Sequence, residues 1–150
     1  MTEQERASVI SFVIKSAGVN VFYEENVPES FAVPSFYFPN TEIEGDGDTL
    51  SSYAEDFAWY VSCFHKSTQE AHALAQKAAE AILKNHRLIP ILNKTDGSVT
   101  GKYLRVNKVK VKTVDEGAVE LQLHFTIRRA FDRPKATKAD KITPNIGRRK

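Results

Sequence analysis

Apolar and polar positions along this chain alternate between helical and extended spacing, and the switches between the two predict its elements. Thr2 and Glu5 form a capping-box pair ahead of Ala7, Val9, Ile10, Phe12, Val13, Ile14 and Ala17, and Gly18 supplies a C-terminal stop. Ile10, Val13, Ile14 and Ala17 share one helical face, so the segment reads as a helix despite its β-branched content. Val19 to Tyr23 reads as a short strand, and Ser35 to Phe38 as a second one bounded by Pro34 and Pro39. Thr41 to Thr49, with Gly45, Asp46, Gly47 and Asp48, reads as loop.

Ser52 to His65 is the longest extended segment of the first half. Its odd row (Tyr53, Phe57, Trp59, Val61, Cys63) and its even row (Ala54, Ala58, Tyr60, Phe64) are both apolar, which predicts a central strand covered on two sides. Ser67 and Glu70 make a second capping box, followed by Ala71, Leu74, Ala75, Ala78, Ala81 and Ile82 at helical spacing through Lys84. Leu88 to Leu92 contains Pro90 and is at most an edge strand or an irregular link. Tyr103 to Val114 is extended but changes phase: Leu104 and Val106 hold one parity, Val109 and Val111 the other, as a β-bulge produces. Asp115, Glu116 and Gly117 form a tight turn. Val119, Leu121, Leu123, Phe125 and Ile127 then alternate with polar residues, giving one core face and one wet or interfacial face. The order is helix, three strands, helix, an optional strand and two strands: an α+β fold with an antiparallel or mixed sheet and both main helices packed on one side.

Charge changes the picture at the C-terminus. Residues 133–150 hold seven basic side chains against one acid, so a net charge of +2 for the whole chain divides into +6 there and −4 in residues 1–132. With Ile142 and Ile146 as its sizeable apolar residues, this tail cannot bury enough surface to offset the entropy of ordering. We expect one domain over residues 1–132 and a flexible basic tail over 133–150. Inside the domain, Glu24 to Asp56 carries nine acids and no lysine or arginine. The two signs suggest complementary surfaces between subunits. Glu24, Glu42, Glu44, Asp46 and Asp48 are the acidic candidates; Lys108, Lys110, Lys112, Arg128, Arg129, Arg133 and Lys135 are the basic ones.

Catalytic and metal chemistry find no assembled motif. His65, His72, His86 and His124 lack the spacing of a helical metal site. Cys63 precedes His65 by two but belongs to the apolar row with Trp59 and Val61, where an inert buried thiol is the commoner outcome. Glu42, Glu44, Asp46 and Asp48 imitate a calcium loop, yet counting from Glu42 puts Gly47 at position 6 and Tyr53 where the bidentate glutamate is required. No phosphate-binding glycine loop or nucleophile elbow is present. No cofactor and no enzymatic activity are expected. No stretch approaches the roughly 20 apolar residues of a membrane span. The first residues lack the features of a secretory signal, and one cysteine fits a reducing compartment.

The run from Val21 to Phe38, with Tyr23, Glu24, Phe31, Pro34, Phe36 and Phe38, resembles the strand-pair segment of the tail-terminator and tail-completion proteins of tailed bacteriophages and phage-derived tail particles. The likeness continues through the aromatic strand Tyr53 to His65, the alanine-rich helix Ser67 to Leu83 and the closing strand Val119 to Arg129, covering roughly Thr2 to Asp132. The resemblance implies a structural protein that forms a ring, usually a hexamer, capping the head-proximal end of the tail tube and joining it to the neck. The implied partners are further copies of itself, the tail tube protein, neck, head-completion or collar proteins and, in a sheathed tail, sheath proteins. DNA would only pass through the ring lumen. The implied location is the virion tail, assembled in the bacterial host cytoplasm. The alternative from another class is a nucleic-acid-binding module using Lys108, Lys110, Lys112 and the tail; the −4 body and the lack of interleaved aromatics stand against it.

Overall fold

A computed structural model describes residues 1–132. The basic tail, including Arg133 and Lys135, lies outside the described residues. The element order is α1 (Glu3–Ala17), β1 (Phe22–Tyr23), β2 (Ser35–Tyr37), β3 (Glu42–Gly47), β4 (Ser52–Phe64), α2 (Thr68–Lys84), β5 (Leu88–Leu92), β6 (Val99–Asp115) and β7 (Ala118–Ala130). The strands form one mixed sheet in the order β1-β2-β4-β7-β6-β5, with β3 also on β4. β1 and β2 run parallel and the other pairs antiparallel. The α+β class, and two helices on one side of a mixed sheet, agree with the sequence reading.

Capping explains where α1 begins and ends. The Thr2 hydroxyl accepts from the Glu5 amide at 3.1 Å, the Glu5 carboxylate accepts from the Thr2 amide at 2.8 Å, and Gly18 turns left-handed at φ 73°. In α2 only half of the expected box forms. Ser67 accepts from the Glu70 amide, whereas the Glu70 carboxylate lies 3.1 Å from Nδ1 of His65.

β4 and β7 pair along their whole length, Ser52 with Ala130 through Phe64 with Ala118, and form the spine of the sheet. Their odd rows, Phe57, Trp59, Val61 and Cys63 beside Val119, Leu121, Leu123 and Phe125, are buried under the helices with Val9, Val13, Ala71, Ala75, Ala78 and Ile82. Trp59 is fully buried. Its indole N–H donates to the Pro39 carbonyl at 2.6 Å, and the Arg6 guanidinium sits 4.9 Å from the ring centroid.

Three expectations change. Residues 42–47 are a strand rather than loop: β3 pairs with β4 from Glu42↔Ala58 to Gly47↔Tyr53 with every residue exposed. A strand with nothing to bury leaves no apolar signature, because its main-chain bonds alone define it. β4 is central but not covered on both sides, since its even row carries no helix and, apart from buried Ala54 and exposed Asp56, is half-buried. Its Phe64 is shielded locally by Phe31, ring centroids 4.7 Å apart. Finally, β6 starts at Val99, four residues earlier than the pattern indicated, because Val99 pairs with Leu92 of β5.

The phase change in β6 is a bulge. Val106 pairs with Phe125 and Lys108 with His124, leaving Asn107 as the extra residue. Before it, β6 pairs with β5 through Leu88↔Arg105 to Leu92↔Val99; after it, β6 pairs with β7 alone. Pro90 has no N–H to give, and α1 takes both main-chain groups of Leu92: Ser8 Oγ accepts from its amide at 2.9 Å and Gln4 donates to its carbonyl at 2.8 Å. The β5 margin of the sheet is thereby closed by α1.

Candidate subunit interface

The even-numbered residues of β4 and β7 point away from the helices and form an open face. The register sets out its rows across four strands. Glu42 of β3, Ala58 of β4, His124 of β7 and Lys108 of β6 lie abreast. On one side of that row come Glu44, Asp56 and Thr126, then Asp46, Ala54 and Arg128. On the other side come Tyr60, Gln122 and Lys110, then Ser62, Glu120 and Lys112. The β3 margin is therefore acidic through Glu42, Glu44, Asp46 and Asp56, and the β6 margin is basic through Lys108, Lys110 and Lys112. Both signs sit on one face at opposite edges.

The bulge makes this possible. By adding one residue, Asn107 turns the lysines outward while Val109 and Val111 face the helices, half-buried. Hydrogen bonds hold the middle of the face: Asn107 Nδ2 donates to Thr126 Oγ1 at 2.5 Å and Thr126 donates to Asp56 at 2.6 Å. Tyr60 meets the His124 ring edge-on at 6.3 Å.

Four of the sequence-derived candidates are engaged within the chain. Glu24 pairs with Arg6 at 3.1 Å, and Asp48 with Arg128 at 3.0 Å. Arg129 lies on the helix side of β7 and binds two carboxylates, Glu55 of β4 at 2.8 Å and Glu5 of α1 at 3.0 Å. The bond to Glu55, ahead of the opposing effect of burial, raises the guanidinium pKa. Burial is the largest single influence on Glu5 and pushes its carboxyl up, but the hydrogen bonds from Thr2 and Arg129 together outweigh it and leave the group below its ordinary value. Arg129 thus ties helix, β4 and β7 together. Glu42, Glu44, Asp46, Lys108, Lys110 and Lys112 are exposed and make no ion pair among the described residues. Of the other residues on this face, Glu120 and His124 belong to the polar row of β7 that its alternation marks as wet or interfacial and Asp56 to the acidic stretch, whereas Tyr60 reads in the sequence as part of a covered row. The alternation of Glu42, Glu44 and Asp46 around Ile43 was the available signal that β3 is a strand.

The groups with catalytic potential are dispersed. Cys63 is buried, its thiol 3.5 Å from the Ala71 carbonyl, and burial pushes its pKa up to about 12, so it stays a thiol. His65 lies beyond the end of β4 facing Glu70, His72 is exposed on the outer side of α2, His86 follows that helix and His124 is on the open sheet face. Among the described residues no three histidine, cysteine or acidic side chains gather where they could hold a metal.

No known protein-family profile matches the chain. A fold relative is a chain of the virion of a native gene transfer agent particle, with a TM-score of 0.50 at 16% identity, covering 84% of this chain and 94% of that one. In Bacillus subtilis (strain 168), the phage-like element PBSX protein XkdJ is 26% identical over 143 residues, 95% of this chain and 97% of its own length. The uncharacterized protein YqbJ of the same bacterium is 32% identical over 130 residues, 87% of this chain and 88% of its own. Identity at that level over nearly the whole of both chains establishes that this protein belongs to the YqbJ family.

Proposed function

We propose that this protein is a structural subunit of a phage-type particle, without catalytic activity, and that it acts as a tail terminator: a ring, hexameric in the pattern of that family, at the head-proximal end of the tail tube. Its partners in this reading are its own copies, the tube protein and the neck or collar, and its place is the particle tail. The observation that carries the particle role is the end-to-end similarity to XkdJ of a phage-like element. The fold shared with a gene transfer agent virion chain is compatible with it.

Geometry supports the ring. Head-to-tail assembly requires two different complementary patches on each copy, because each subunit presents one patch to the neighbour before it and the other to the neighbour after it. The acidic and basic margins of the open face meet that requirement with opposite signs. The test is to tag the chain, purify tail-containing particles from the bacterium that carries it, and image them. The expected label is one narrow band of ring symmetry where the tube meets the head or neck. A label spread along the tube, or at the distal end, rejects the terminator role; no label on any particle rejects the particle role.

A further inference from the structure

We infer that copies of this protein join by strand pairing, β3 of one copy adding antiparallel to the Lys108–Val114 part of β6 of the next, in a register that sets Glu42 opposite Lys112, Glu44 opposite Lys110 and Asp46 opposite Lys108. The inference deepens the ring reading and rests on it in one respect, that copies meet head to tail.

The first ground is the pair of unfilled edges. β7 occupies the whole of one side of β4, so β2 and β3 share the other side, and the outer side of β3 faces solvent along all six residues. At the opposite margin, β5 covers β6 only as far as Arg105. Arg87 then takes the next groups, its carbonyl accepting from the Val106 amide at 2.8 Å and its guanidinium donating to the Asn107 carbonyl at 3.1 Å. From Lys108 onward β6 has β7 on one side and no strand on the other among the described residues. An unpaired edge presents a row of main-chain donors and acceptors and is a template for another strand. The β5 margin, closed by α1, offers none.

Direction and chemistry then agree. Neighbours alternate in direction across β3, β4, β7 and β6, so β3 of a second copy laid beside β6 in the same orientation meets it antiparallel. In the proposed register three acids face three lysines on the open side, while Ile43, 59% exposed, falls opposite half-buried Val111 on the other. Opposite charges and apolar pairs directly across antiparallel strands are the favourable cross-strand combinations. Within the chain the inner sides of these strands have apolar partners, Ile43 opposite Phe57 and Val109 and Val111 opposite Leu123 and Leu121, but of the six charged residues only Lys112 has an opposite charge across from it, Glu120.

Ring closure supplies an independent check. Lys108 is abreast of Glu42 in its own copy but pairs with Asp46 of the next, so each copy advances by four residues along the strand. That is about 13 Å of stagger across four strands spanning roughly 19 Å. The resulting slope of about 35° is the tilt that strands adopt when a sheet closes on itself.

The test is a register-specific cross-link. Glu44→Cys with Lys110→Cys in one chain cannot bridge internally, because three strand spacings, about 14 Å, separate the two positions. Mild oxidation of the concentrated protein, and of particles containing it, should give a ladder of covalently joined copies. Glu42→Cys with Lys110→Cys, out of register by two residues, should give little. Buried Cys63 stays out of the reaction. Charge reversal is the second arm: E44K alone and K110E alone should each weaken association roughly tenfold at low salt, and the double reversal should restore it to within about threefold. A ladder that forms only off register, a double reversal no better than its singles, or copies that remain single both in concentrated solution and in particles overturns the pairing. So does a K110E effect confined to loss of duplex DNA binding with E44K silent, which would make the lysine row a nucleic-acid surface. Particles that contain the chain but yield no ladder sink the strand pairing and leave the particle role standing. A solution ladder with no chain in any particle does the reverse.

Discussion

The two faces of the central sheet are built from the same strands and differ in what completes them. On the helix face, Trp59, Phe57, Leu121, Leu123 and Phe125 have essentially no exposure, and the buried indole N–H has a local acceptor in the Pro39 carbonyl. On the open face, one residue away along the same backbone, Ala58, Tyr60, Gln122 and His124 are half-buried and flanked by margins of opposite charge. One face is finished by the chain itself. The other has surface and charge but no element packed on it among the described residues, and the difference separates residues that hold the fold from residues available for assembly.

The sharpest way to break this contrast is to truncate neighbouring aromatics. Trp59→Ala should cost about 3–5 kcal/mol, enough to unfold a protein of ordinary stability, whereas Tyr60→Ala should cost about 1 kcal/mol. Urea denaturation of both measures it; equal losses would mean that the open face is as much core as the covered one. Next in size is the hinge between β6 and β7. Gly117 sits at φ 73°, and a Cβ there would lie 2.9 Å from the His65 carbonyl oxygen. Gly117→Ala should therefore lower stability by about 2–3 kcal/mol, and an unchanged melting curve would show that the turn relaxes freely.

A smaller effect should come from the polar tie on the helix face. Because the Glu5 carboxyl is held below its ordinary value when folded, its contribution is fully present above the ordinary glutamate range and is lost as pH falls through the lowered value. Arg129→Ala should cost about 1–2 kcal/mol at neutral pH and flatten the fall in melting temperature between pH 5 and 3. A variant as steep as the parent would assign the acid sensitivity elsewhere. At the bottom of the scale, K110E should alter folding stability by no more than about 0.5 kcal/mol. A large loss of stability in K110E would mean that the lysine row supports the fold as well as facing outward.

The same contrast explains what the sequence disclosed. Features that depend on neighbours in the chain were legible: the Thr2–Glu5 box, the Gly18 stop, the burial of Trp59, the bulge in β6 and the edge position that Pro90 imposes on β5. Features that depend on distant segments were not. β3 is a strand only because β4 accepts it, and a composition of acids and glycines around the single apolar residue Ile43 hid that. The apolar even row of β4 looked like a second buried face because sequence cannot distinguish a row covered by a helix from one shielded by a single ring, as Phe64 is by Phe31. Arg129 looked like one more surface cation because its partner Glu5 lies 124 positions away. Of the interface candidates, those in simple alternation, Glu42 to Asp46 and Lys108 to Lys112, fell on one face; the isolated ones, Glu24 and Arg129, were taken up by ion pairs within the chain.

The bulge in β6 has a consequence for which changes this chain can tolerate. Side-chain identity at Asn107 matters modestly, through one hydrogen bond to Thr126. The number of residues there matters far more. Deleting one would carry Lys108, Lys110 and Lys112 beneath α2 and expel Val109 and Val111 into solvent, exchanging the inside and outside of the strand at a stroke. Among relatives of this protein, the spacing between Val106 and Lys108 should therefore be held constant while the residue between them drifts, and length rather than composition becomes the inherited trait at that position.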